Sequence, residues 1–184
     1  MSRFICLSIF FILISTSMSI VLVKLDSMSI LGSRLHVVDF KPYGFRIGYP
    51  DEWKRVDECS ALFVCKMNCK ENKVFCPNIV LNVVAKKEGA LLSNYTDFFL
   101  KKVQAEFKDM QLVSSKGSII NGYTCTTIDY KMSTNGTHLG ATTGVIDLGD
   151  FILFVNCMGD NEPAGNYTRY RGTFEQVIKS VTKL

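Results

Sequence analysis

The sequence predicts an α+β fold in which two amphipathic helices accompany a mainly antiparallel sheet. Three observations carry that reading. Leu91, Tyr95, Phe98, Phe99, Val103, Phe107 and Met110 recur at steps of three and four, while Lys101, Lys102, Gln104, Glu106 and Lys108 take the other side. Residues 111–120, 122–132, 138–147 and 151–158 then read as a meander of strands, with hairpin signals at Asn135-Gly136 and Gly149-Asp150. A second helix closes the chain, with Tyr167, Tyr170, Phe174, Val177, Ile178 and Val181 on one side and Arg169, Arg171, Glu175 and Lys179 on the other.

The elements follow in order. Arg3 precedes the apolar run Phe4 to Ile14, and small residues surround Ser17-Met18-Ser19. A positive start, a short apolar core and a small-residue cleavage site make residues 1–19 a signal peptide. The competing reading is an uncleaved anchor to Val23, because Ile20-Val21-Leu22-Val23 prolongs the run toward the ~20 residues that span a bilayer. Both place the remainder outside the cytoplasm: secreted, periplasmic or held at a membrane. Residues 20–35 read as a linker and residues 36–184 as one domain.

Within that domain, His36–Phe40 and Phe45–Tyr49 form strands around the turn signal Lys41-Pro42-Tyr43-Gly44. Pro50 stops the second strand, and Trp53 folds back over the core edge. Ala61–Val64 leads into a cysteine-rich insert, residues 59–76. Asn78–Ala85 is a β-branched run with little alternation, so it predicts a strand buried on both faces. Ser93 or Asn94 is expected to cap the first helix and Asn166 the second.

Cys6 lies in the signal, which leaves Cys59, Cys65, Cys69, Cys76, Cys125 and Cys157. An even number in an oxidising compartment predicts disulfides over a metal site, whose ligand pairs are closer in sequence. The pairing stays open. If Leu148 faces Phe151 and Met132 faces His138, Cys125 faces Val145 and then Phe154, which puts Cys157 on the opposite face. A Cys125–Cys157 bridge is not expected in that register, and at least one of the two is expected to reach the Cys59–Cys76 cluster.

Asn94, Asn135 and Asn166 each open an N-x-[ST] sequon, a glycan acceptor if the source glycosylates exported proteins. Net charge is +4, from 21 basic and 17 acidic side chains, too mild to predict a nucleic-acid partner. No nucleophile elbow, H-E-x-x-H, Walker loop or G-x-G-x-x-G occurs, so the sequence predicts no cofactor, no metal and no catalytic residue. His36 and His138 read as surface residues, and Asp51-Glu52, Asp57-Glu58, Asp147/Asp150 and Asp160/Glu162 as turn or strand-end acids. Lys66, Lys70, Lys73, Lys86 and Lys87 read as a solvated rim.

The run Tyr43-Gly44-Phe45-Arg46-Ile47-Gly48-Tyr49-Pro50-Asp51-Glu52-Trp53 resembles the opening motif of PsbP-like proteins. The strand at 78–85, the helix at 92–109, the meander and the closing Phe174-x-x-Val177-Ile178-x-Ser180-Val181 are also similar to that superfamily, which includes PsbP, Mog and DcrB-type proteins. The resemblance covers residues 36–183 and implies an α/β/α sandwich. It transfers no site residue. The export signal and the cysteine insert depart from photosynthetic PsbP, so no oxygen-evolving role is implied. The expectation is an exported, non-catalytic domain that binds a protein or small ligand. A membrane-anchored envelope component and a hydrolase with an unrecognised site are the alternatives.

Overall fold

The structure is a computed structural model that describes residues 27–30, 33–56, 61–67, 75–161 and 165–184. Its strands are β1 (Ser27–Ile30), β2 (Ser33–Phe40), β3 (Phe45–Pro50), β4 (Trp53–Arg55), β5 (Phe63–Met67), β6 (Asn78–Ala85), β7 (Gln111–Ile120), β8 (Tyr123–Thr134), β9 (Thr137–Asp147), β10 (Phe151–Asp160) and β11 (Thr182–Lys183). The helices are α1 (Leu92–Glu106) and α2 (Asn166–Lys179).

Two sheets form where one was expected. The larger has seven strands in the order β4-β5-β6-β10-β9-β8-β7, and the smaller has the order β1-β2-β3-β11. Every pairing is antiparallel. Part of the segment read as linker is therefore strand β1, paired with β2. The last residues return to pair with β3.

The large sheet divides the core. On one face Phe99 and Val103 of α1, with Phe107, meet Ile128, Tyr130, Leu139, Val145 and Phe154. On the other, Tyr167, Phe174, Val177 and Ile178 of α2 share a cluster with Phe40, Phe45 and Ile47 of the small sheet. Burial of these apolar faces is the main stabilising term, at about 25 cal/mol per Å² removed from water. Trp53 folds back as expected: it is buried and stands edge-on to Tyr170 and Phe174. Phe98 departs from the expected helix face; it is 42% exposed and lies under the Lys102 ammonium.

Three glycines let α2 approach the sheet. A Cβ on Gly140 would stand 2.8 Å or less from three Tyr167 ring carbons. One on Gly144 would meet Ile178, and one on Gly159 the Tyr167 backbone. The helix is fastened at both ends by distant residues. The Asp160 carboxylate accepts hydrogen bonds from the Asn166 backbone N–H and from Asn166 Nδ2. Asn166 is thus the first helical residue and not the cap; Gly165 holds the cap position without a side chain to offer. At the far end, Asn121 Nδ2 in the β7–β8 turn donates to the Lys179 and Val181 carbonyls, 2.8 and 2.9 Å away. Asn94 acts near the start of α1, where its Oδ1 accepts from Leu91 N at 2.8 Å.

The β8–β9 register lies one residue from the expectation. Asn135 and Gly136 both take positive φ, 49° and 76°, and make a two-residue turn that pairs Thr134 with Thr137 and Met132 with Leu139. The expected loop was longer. The β9–β10 register holds, with Leu148 N donating to Phe151 O.

Candidate functional site

The cysteines show what that slip does. Cys125 faces Ile146, which faces Leu153. Cys125 and Cys157 therefore share a face, contrary to the expected opposition. They remain four residues apart along the strand direction, about 13 Å at the usual rise, too far to bridge. Cys65 and Cys157 flank Ile79 on neighbouring strands, roughly 10 Å apart at the usual strand spacing. Cys65, Cys125 and Cys157 are buried free thiols, which corrects the expectation that all six cysteines pair. Cys76 is disulfide-bonded; Cys59 and Cys69 lie outside the described residues.

Burial pushes the thiols of Cys65, Cys157 and, less completely, Cys125 above the ordinary range. They are held as inert protonated groups, the opposite of an activated nucleophile. Their ionisation is linked to stability. The folded pKa lies above the unfolded one, so the contribution is whole below pH ~8.5 and is lost as pH rises toward the folded value. Above pH ~8.5 each such thiol removes about 1.4 kcal/mol of stability per pH unit. Urea midpoints measured from pH 7 to 10 should fall in the upper half of that range; a flat profile would contradict the assignment. In the same samples, iodoacetamide should label these three residues only after denaturation.

The acids and histidines serve the fold. Asp147 Oδ2 accepts from Lys86 Nζ at 2.6 Å and its Oδ1 from Gly149 N at 2.9 Å, which shapes the β9–β10 turn. Asp51 faces His36, with Nε2 at 2.9 Å from Oδ1, and Arg34 stands 4.0 Å away. At the open β8–β9 end, Ser133 Oγ lies 2.8 Å from His138 Nδ1, while Asp109 Oδ1 accepts from Ser133 N at 3.2 Å. These contacts hold the Asp109 carboxyl below its usual range, the Ser133 bonds first and the His138 charge last. The serine stands between acid and imidazole, all three on exposed surface. A nucleophile triad needs the imidazole in the middle. Among the described residues no group of three or more His, Cys, Asp and Glu is placed to hold a metal ion. Lys70, Lys73, Asp57, Glu58 and Glu162 lie outside the described residues.

Asp129 is the centre of a polar cluster that sequence reasoning missed. It lies in β8, 6% exposed, on the α2 side of the sheet. Thr142 Oγ1 donates to it at 2.8 Å, Ser114 Oγ at 2.9 Å, Arg171 Nη2 at 2.9 Å and Tyr167 OH at 3.4 Å. An acid between Ile128 and Tyr130 in mid-strand was the available signal, because such a charge needs a partner. Arg171 closes the cluster from α2 and reaches Glu175 at 3.7 Å.

On the other face, a cleft runs between α1 and β6–β10, bounded by Val80, Asn82, Val103, Phe107, Asn156 and Met158. Its buried amide is engaged: Asn156 Oδ1 accepts from Thr143 Oγ1 at 3.1 Å, and Nδ2 donates toward Val80 O at 3.5 Å. The walls offer carboxamides, apolar surface and the buried Tyr130 phenol, whose pKa burial pushes up.

The sequon asparagines separate by exposure. Asn94 and Asn135 lie on the surface, whereas Asn166 is 5% exposed and its Nδ2 donates to Asp160. Folded protein from a glycosylating host is expected to carry glycans at Asn94 and Asn135 and none at Asn166. Peptide mapping after glycosidase treatment in heavy-oxygen water reads this out; a modified Asn166 in folded material would contradict it.

The edge of the large sheet is the remaining feature. Among the described residues β7 pairs with β8 alone and carries three of the six exposed large apolar side chains, Leu112, Val113 and Ile119. No helix among the described residues is long and apolar enough to cross a membrane.

No family model matches the chain, and no curated protein matches it by sequence. Its structure is similar to cyanobacterial PsbP (CyanoP) from Synechocystis sp., with TM-score 0.64 and 13% identity over 86% of this chain and 98% of that one. It is similar to LpqN, involved in cell envelope biogenesis of Mycobacterium tuberculosis, with TM-score 0.58 and 16% identity over 75% and 82%. It is also similar to the Ran-binding protein Mog1p of Saccharomyces cerevisiae, with TM-score 0.57 and 7% identity over 82% and 95%. Two helices, a long antiparallel sheet and these distant likenesses show that the chain shares the fold of these three proteins.

Proposed function

We propose that the chain is an exported, non-catalytic domain that binds another protein. One observation carries the reading. Asp51, Asp129, Asp147, Asp160 and His36 are engaged in turns, caps and contacts that hold α2, while apolar surface gathers on the unpaired edge strand. An enzyme needs the reverse arrangement, with titratable groups converging on a cleft. Extended apolar surface on a free edge suits recognition of a macromolecule. The fold adds a binding precedent only by analogy: one structural relative is described as Ran-binding.

Export rests on residues 1–19. N-terminal sequencing of the mature protein should find a start near Ile20; retention of residues 4–23 would make the domain membrane-anchored. Cross-linking in its native compartment, followed by mass spectrometry, should recover a heteromeric complex of fixed stoichiometry. Recovery of the uncomplexed chain alone would overturn the binding reading.

A further inference from the structure

We infer that β7 is the docking site and that its occupant is an extended segment of a partner protein, acidic on one face and apolar on the other, added as an outer strand. This rests on the protein-binding reading above and names its surface and chemistry.

The backbone makes the first argument. Asn121 and Gly122, with φ of 48° and 87°, form a two-residue turn that pairs Ile120 with Tyr123. In such a turn the Ile120 carbonyl accepts from Tyr123 N–H, so Ile120 directs its backbone groups toward β8. Alternation then points the N–H and C=O of Ser115, Gly117 and Ile119 outward, where no strand among the described residues meets them.

The side chains make the second. A register shift between Leu112 and Ser114 leaves Val113 as the bulged residue. Leu112 opposite Tyr130 and Ile119 opposite Thr124 consequently fall on one face, 51% and 77% exposed. Without the bulge, two residues seven apart would point to opposite faces. On the other face Lys116, opposite Thr127, and Lys131, opposite Gln111, are exposed, and neither has an acidic partner among the described residues. The edge therefore presents an apolar side and a cationic side, and a strand of alternating acid and apolar residues complements both.

A second copy fits poorly. Antiparallel pairing of two β7 strands through the outward groups of Ser115 and Gly117 sets Lys116 directly opposite the Lys116 of the other copy on the same face, a repulsive arrangement.

The probe is a ten-residue peptide of alternating Glu and Val, titrated into the full-length protein, with amide hydrogen exchange as the readout. The Ser115, Gly117 and Ile119 amides should gain at least about tenfold protection with this peptide and none with its Lys–Val counterpart. Lys116→Glu should invert the preference. Gly117→Pro should abolish protection while leaving exchange elsewhere unchanged, since it removes one outward N–H at a position where an added Cβ meets nothing within 4 Å. Equal protection by both peptides, no protection by either, or protection without peptide that rises with protein concentration would each overturn the assignment, the last in favour of a second copy. If the cross-linked complex survives Gly117→Pro, the edge assignment falls and the binding reading stands; if the unaltered chain forms no complex, the binding reading falls first.

Discussion

Gly140→Ala should destabilise the protein by about 3 kcal/mol or more, near the upper end for overpacking a core. The added methyl would occupy the space of the Tyr167 ring, whose Cδ1, Cγ and Cε1 all lie within 2.8 Å of its position. The ring cannot yield easily. Its hydroxyl lies 3.2 Å from Thr142 Oγ1, and its backbone rests against Gly159. The first turn of α2 would have to lift from the sheet, away from its Asp160 cap. In thermal unfolding the loss corresponds to a fall in Tm of about 10 °C for a domain of this size. Gly144→Ala should cost less, because one atom alone, Ile178 Cγ2 at 2.8 Å, stands closer than 3.0 Å to the added methyl, against three ring carbons at Gly140. Gly117→Ala, with open space around it, should be neutral within about 0.5 kcal/mol. Combining Gly140→Ala with Tyr167→Ala should lose less than the sum of the single changes. Equal effects of the three glycine substitutions would refute the account.

Asp129→Ala is expected to cost about 3 kcal/mol, read from urea unfolding. The substitution removes the acceptor that four donors share. The Thr142 hydroxyl is fully buried and the Tyr167 phenol nearly so, so they cannot turn to water. Arg171 is half exposed and can, which keeps its share small: Arg171→Met should cost about 1 kcal/mol or less. Asp129→Asn should fall between, since an amide oxygen still accepts but its nitrogen meets donors. Because the cluster joins β7, β8, β9 and α2, Asp129→Ala should also speed exchange of amides along α2. A loss below 1 kcal/mol would mean that the cluster is ornamental to stability.

The helices and strands were legible because each shows its period within one window of sequence. Phe99, Val103 and Phe107 face the core as their spacing requires, and Trp53 packs where the motif before it points. What the sequence concealed depends on partners far along the chain. Asn166 looked like a cap because cap chemistry is local, but the carboxylate that serves α2 comes from Asp160. The Asn135-Gly136 signal was recognised, yet its loop length set the register, and one residue of error reversed the face assigned to Cys125. The cysteines were read by compartment and count, whereas pairing is decided by distance: Ile79 stands between Cys65 and Cys157. The Asp129 cluster takes its donors from three separate elements, β7, β9 and α2, so no window contains it. The edge surface needed the bulge at Val113 before Leu112 and Ile119 could be placed together.

The Asn121 clasp on the end of α2 bears on the order of assembly. α2 and β11 follow the strands of the large sheet in the sequence, and they close the layer beneath which Cys65, Cys125 and Cys157 lie. Until the clasp engages, those sulfurs stand open to oxidants and to mispairing with other cysteines of the chain. Afterwards they are sealed. In an oxidising milieu the yield of correctly assembled molecules thus depends on a race between helix docking and sulfur oxidation, and slowing the first by loosening Asn121 should favour the second.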